Sequence, residues 1–183
     1  MENKLKFRNW WLLSIQGLIM LCLGISLLFG FKDDLAKTSR LAGIFIILSG
    51  ITVTLFAFSN VKNFPFWFYL FEGMCELAIG FVLIHIRKFI LPAQFAVITV
   101  TWIFILGVLF FISLIEKKKL NLYSAIRIFY GIISVISGIL ILINQPVQFT
   151  RTELLVGIYA FLVSFSYLIN SLSFSVKRLI IEN

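Results

Sequence analysis

The 183-residue chain is poor in cysteine (two), proline (three), histidine (one) and charge, only 13% of residues being Asp, Glu, Lys or Arg. The two cysteines, Cys22 and Cys75, stand in separate apolar runs without CxxC spacing or a histidine partner, which excludes a disulfide-stapled scaffold and a thiolate metal site and leaves both as small core residues. Soluble domains carry about 25% charged residues. With half that share and 61% hydrophobic residues, this chain has too little polar surface to coat a globule in water. The same shortage excludes a disordered chain and a nucleic-acid-binding domain, despite a formal net charge of +8. No GxSxG, HExxH, GxxxxGK or GxGxxG stands in a usable context, so no enzyme, cofactor or metal is expected.

What is present is apolar length. A helix crosses the hydrocarbon core in about 20 residues. Six stretches have that length: Trp10 to Phe31, Leu41 to Val61, Phe64 to Ile86, Phe89 to Ile115, Leu120 to Gln145 and Leu154 to Val176. The third holds Glu72, Glu76 and His85, and the fifth holds Arg127; the other four are uncharged. The expected fold is therefore an all-α membrane protein of six transmembrane helices, with loops near 32–40, 60–66, 87–93, 116–121 and 144–153. The first run follows a basic segment, as in a signal peptide, but it is too long and lacks a small-x-small cleavage site, so it reads as a retained span.

With six spans both ends share a side. That side holds Lys4, Lys6, Arg8, Lys62, Lys117, Lys118, Lys119, Lys177 and Arg178, against Lys32, Lys37, Arg40, Arg87, Lys88 and Arg151 opposite. The positive-inside rule then puts both termini in the cytoplasm, and these cations against anionic lipid headgroups of the cell membrane rather than nucleic acid. Trp10, Trp11, Trp67 and Tyr123 open the odd-numbered spans as interfacial anchors.

Glycine recurs with a period. Gly17 and Gly24, Gly73 and Gly80, and Gly131 and Gly138 are each seven apart in the odd spans, and Gly43 with Gly50, Gly107 and Gly157 continue the spacing in the even ones. Seven residues are nearly two helical turns, so each pair shares a face. Helices in lipid associate where small residues let backbones approach, so these ten glycines are expected at helix contacts. The pattern predicts three tandem helical-hairpin repeats at about 10–60, 66–114 and 122–174, in a single membrane domain spanning 1–183.

The segments WLLSIQGLIMLCLGISLLFG, FWFYLFEGMCELAIGFVLI and LYSAIRIFYGIISVISGILILINQP, each with an aromatic-rich opening and a Gly-x6-Gly face, resemble the HdeD-like family of small bacterial inner-membrane proteins. The resemblance covers nearly the whole chain. It implies a six-span fold and, for the best-known members, a part in acid resistance.

Ionisable groups inside a span mark function or a buried pair. Glu72 and Glu76 lie four apart on one face of the third span, and Glu76 shares a face with Gly73 and Gly80. Aligning the repeats places Arg127 roughly 4.5 Å from Glu72 along the axis and roughly 10 Å from Glu76, so Arg127 is expected to pair with Glu72. Glu76, deeper, then needs a second donor or a proton, and Tyr130 and Ser134 occupy positions from which they could donate. Three uses of this trio stay open: an ion pair fixing the third span to the fifth, Arg127 reaching back to the interface, or a proton-binding site at Glu76. His85, beside Arg87 and Lys88, reads as an interfacial residue rather than an acid sensor. The functional expectation is a non-enzymatic protein of acid or envelope stress; the alternative is a small proton-coupled transporter or channel subunit. A homo-oligomer or other membrane proteins are the partners left open, an assembly role among them.

Overall fold

The computed structural model describes residues 8–29, 35–61, 66–85, 92–115, 122–144 and 149–182, with side chains placed over 8–29, 35–61, 66–85, 93–112, 128–143, 152–173 and at Ser175. These residues form six helices: α1 (Trp11–Phe29), α2 (Leu35–Ser59), α3 (Phe66–His85), α4 (Pro92–Ile115), α5 (Leu122–Asn144) and α6 (Phe149–Glu182). No strand occurs among the described residues. Pro92 opens α4, where its fixed φ suits the first turn and its missing N–H is not needed.

Five helices carry a stretch long and apolar enough to cross a membrane; in α5 the corresponding stretch among the described residues is the shorter Ile128–Ile143. The outer surface agrees with lipid as solvent. Phe29 is 81% exposed, Trp67 72% and Ile143 69%, and large aliphatic and aromatic side chains are exposed along all six helices. Helices apolar on every side are what a bilayer requires.

Successive helices run antiparallel. A Cβ on Gly43 would lie 2.8 Å from the carbonyl oxygen of Gly80, and one on Gly50 would lie 2.9 Å from that of Gly73, so α2 and α3 touch backbone to backbone in opposite directions. Gly24 meets the backbone of Phe161 in α6 at 2.7 Å, and Gly157 meets Leu27 of α1 at 3.0 Å. Gly17 faces Leu168 and Ser164, Gly107 faces Ser134, Gly131 faces the Phe111 ring and Gly138 the Phe104 ring.

The closest helix pairs are α2–α3, α1–α6 and α4–α5, with α1–α2 and α5–α6 next and α3–α4 looser. The hairpins expected from the sequence, α1–α2, α3–α4 and α5–α6, are therefore not the tightest units. Glycine explains the shift, because the bare backbones of α2 and α3 lie opposite each other and those of α1 face α6.

Two helices start earlier than expected. The loops drawn at 32–40 and 144–153 end by Leu35 and Phe149, so Thr38, Ser39, Thr152 and Glu153 are helical and buried. Lys37 and Arg40 mislead a charge-based reading because they sit on the exposed side of the first turns of α2. At the opposite end of the bundle, Asn60 closes α1 onto α2. Its side chain accepts from Arg8 N–H at 2.8 Å and donates to Arg8 O at 2.9 Å and to Phe56 O at 2.8 Å. Asn9 takes φ 55° there, a left-handed conformation that asparagine tolerates, and donates to the Ser59 hydroxyl at 3.1 Å.

The main core runs through the bundle between Met20, Leu23, Ile46, Leu83, Phe95, Trp102, Ile103, Tyr159 and Val163. A second cluster of Leu12, Leu13, Val53, Phe56, Ala57, Phe66 and Tyr69 closes the end that holds the start of α1.

Candidate functional site

Polar side chains in a bilayer interior must find partners inside the bundle. Here they gather around α3. Glu72 and Glu76 are one helical turn apart and both point inward, 6% and 0% exposed. Glu72 is held from two other helices: the Tyr167 hydroxyl of α6 donates to its Oε1 at 2.5 Å, and Gln16 Nε2 of α1 approaches the same oxygen at 3.4 Å. A cavity of about 10 Å³, the space of one water, adjoins Glu72 and is lined by Phe68, Tyr69, Leu106, Leu109, Phe110 and Tyr167.

Glu76 is different. Neither carboxyl oxygen has a hydrogen-bond partner among the described residues. The Ser49 hydroxyl of α2 and the Trp102 indole N–H of α4 face it, and both of these atoms are also unbonded there. Trp102 stands edge-on to Tyr159 of α6, with ring centroids 5.7 Å apart. Tyr159 and Tyr167 both lie close enough to feel the charge of the two carboxylates. Four helices thus surround one carboxyl that has no bonded partner. Such a group is costly to bury as an anion, which makes Glu76 the candidate site of the bundle.

Several expectations change. Ser134 does not turn to Glu76; its hydroxyl donates to Tyr130 O and pairs with the Tyr159 hydroxyl, both at 2.9 Å, while the Tyr130 ring packs against Phe110. The groups that face Glu76 are Ser49 and Trp102 instead, because α5 packs on α4 more closely than on α3. Arg127 lies in α5, but its side chain is outside the described residues, as is that of Tyr123. His85 is exposed, stacks on Phe81 at 3.8 Å and has its Nδ1 3.0 Å from Phe81 O. Against the core placement expected for both cysteines, Cys22 is exposed on the outer surface and Cys75 is half-buried beside the pair.

A third buried carboxylate was assigned to a loop by the sequence. Glu153, 2% exposed in α6, accepts from the Thr38 hydroxyl of α2 at 3.1 Å, at the far end of the bundle from Asn60. Its run, TRTELLVG, continues directly into an apolar helix, and that continuity is the signal for helical rather than loop structure.

An all-helical bundle with an apolar exterior and a buried acidic pair defines a membrane protein by class. Residues 36–85 match a family profile described as a short repeat of unknown function (DUF308). The matched stretch runs from the second residue of α2 to the last of α3, the tightest pair of the bundle and the one that carries Glu72 and Glu76. No curated protein and no solved structure shows a match to the chain.

Proposed function

We propose that the chain is a non-enzymatic, six-span protein of the cell membrane, with both termini in the cytoplasm, whose Glu72–Glu76 pair takes up protons when the cell meets acid. One observation carries this reading: Glu76 is fully buried, and its two oxygens have no hydrogen-bond partner among the described residues. A carboxyl group so placed has little role as a structural bridge, whereas intramembrane carboxylates commonly serve proton relays. The resemblance to HdeD-like proteins is what suggests a role in acid or envelope stress; the match of α2–α3 to a short repeat of unknown function fits a membrane protein and assigns no role.

A proton-coupled carrier is the second reading, favoured by the water-sized cavity beside Glu72. Both readings are tested by Glu76→Gln in the full-length protein. Wild-type protein is expected to raise survival at low pH and to take up protons when reconstituted in vesicles, and the variant to lose both. Unchanged survival together with unchanged uptake would remove the proton site.

A further inference from the structure

The polar groups around Glu72 and Glu76 are unevenly distributed along the bundle. Antiparallel pairing puts the start of α1, the end of α2, the start of α3, the end of α4 and the end of α6 at one face, called here the terminal face. Toward that face an apolar cluster fills the α1–α2–α3 side, but the interior is polar along α6 and its contact with α1: Ser166, Asn170 and Ser171 are all buried, Ser171 bonds Ser14 and Trp10 O, and Asn170 Oδ1 and Ser166 Oγ have no partner among the described residues. The cavity beside Glu72 extends the same way. Its other α3 residues, Phe68 and Tyr69, precede Glu72 in α3, and Leu109 and Phe110 lie toward the end of α4.

Toward the far face the interior is mostly apolar for several turns, and its few buried hydroxyls are all bonded within the bundle. Leu23 and Leu27 of α1, Ala42 and Ile46 of α2, Leu83 of α3, Phe95 and Ala96 of α4, Ile141 of α5 and Val156 and Ala160 of α6 are each 3% exposed or less. The buried hydroxyls in this layer are satisfied: Thr99 donates to its own helix at Phe95 O or Ala96 O, Ser39 donates to Leu83 O at 3.0 Å, and the Tyr159 hydroxyl pairs with Ser134 at 2.9 Å. Glu153 lies beyond the layer, 14 residues before Tyr167 in α6 and so roughly 21 Å along the axis from the level of Glu72.

We infer that the Glu72–Glu76 pair exchanges protons with the terminal face alone, and that the apolar layer between Glu76 and Glu153 closes it from the far face. Hydronium in the cavity gives its proton to the Glu72 carboxylate and leaves water. Glu72 then passes the proton one helical turn deeper to Glu76 and returns to the carboxylate. The groups that bear on this transfer are Glu72, Cys75, Glu76, Tyr159 and Tyr167. The site is a one-sided proton well and not an open pore, a property that rests on the proposed function but goes beyond it by assigning the side of loading.

The test uses the full-length protein in sealed vesicles, sorted for orientation, with the carboxyl C=O band followed by infrared difference spectroscopy. The pH is stepped on one side at a time, and Glu72→Gln and Glu76→Gln assign the band. A step at the terminal face is expected to change the band roughly tenfold faster or more than a step at the far face, since the few hydroxyls of the far layer are bonded within the bundle and separated by apolar side chains. Equal responses from both faces, or faster response from the far face, overturn the inference and leave the proton site standing. No band change from either face overturns the proton site and the inference together.

Discussion

Glu72 and Glu76 differ at the residue scale in a way that stability measurements can read. Glu72 has bonded partners, so removing its carboxylate strands Tyr167 and Gln16. Glu76 has no bond of ordinary length among the described residues, only the Ser49 hydroxyl and Trp102 N–H facing it, so an apolar side chain of similar size removes a poorly compensated polar group. Glu76→Met is therefore expected to raise the unfolding free energy in detergent by about 1–3 kcal/mol, read as a higher thermal midpoint, and Glu72→Leu to lower it by a similar amount. Opposite signs would show that the deeper carboxyl is kept for function at a cost in stability. Loss of stability in both would mean that Glu76 is a packing group. The glycines separate in the same way. A methyl group at Gly43 meets the Gly80 carbonyl, which belongs to a helix backbone, whereas one at Gly131 meets the far end of the Phe111 ring. Gly43→Ala should cost about 1–3 kcal/mol by forcing helices apart, and Gly131→Ala clearly less because a side chain can turn aside; comparing their unfolding midpoints in one detergent checks this.

Elements were legible in the sequence where one physical demand dominated. The apolar length required by a bilayer located the six helical segments, and the glycine period located the faces on which backbones approach. Partnership was less legible. A glycine face says that some helix comes close but not which one, and the repeat spacing pointed to the hairpins α1–α2, α3–α4 and α5–α6, whereas the tightest pairs are α2–α3, α1–α6 and α4–α5. Single polar residues inside apolar runs were also silent: Gln16, Ser49, Trp102 and Tyr167 meet the carboxylates from four other stretches of chain, and their convergence exists only after folding. Charge misled at the ends of α2 and α6, where Lys37 and Glu153 lie on opposite sides of helical turns and not in loops. Asn60 shows what joins the elements at the terminal face, with three side-chain bonds to backbone across α1 and α2. Asn60→Leu keeps the volume and removes those bonds. It should weaken the joint by about 1–2 kcal/mol, seen as faster amide exchange over the first turns of α1 with the middle of α3 unchanged. Uniform exchange across both helices would show that Asn60 holds no more than its own turn.

For the whole molecule, the decisive feature is that α6 packs on α1. A row of tandem hairpins has two open ends, each exposing an unpartnered glycine face to lipid. When the last helix returns to the first, Gly17 and Gly24 are covered by Leu168 and Phe161, and Tyr167 comes within reach of Glu72. Ring closure is thus the condition for the site: without α6 against α1, Glu72 loses its strongest hydrogen bond and the polar file through Asn170 and Ser171 has no wall. The Ser14 and Ser171 hydroxyls, 2.5 Å apart, offer a direct probe of that closure. With Cys22 and Cys75 replaced by serine, cysteines at positions 14 and 171 should form an intramolecular disulfide under mild oxidation, since side chains in contact satisfy the short Cβ separation a disulfide needs. The expected result is loss of both thiols to a polyethylene-glycol maleimide in monomeric protein, with each single-cysteine chain still reacting. Thiols that stay free, or pair only between two chains, would mean that the ring is open, and the account of Glu72 and Glu76 as one enclosed site would fall with it.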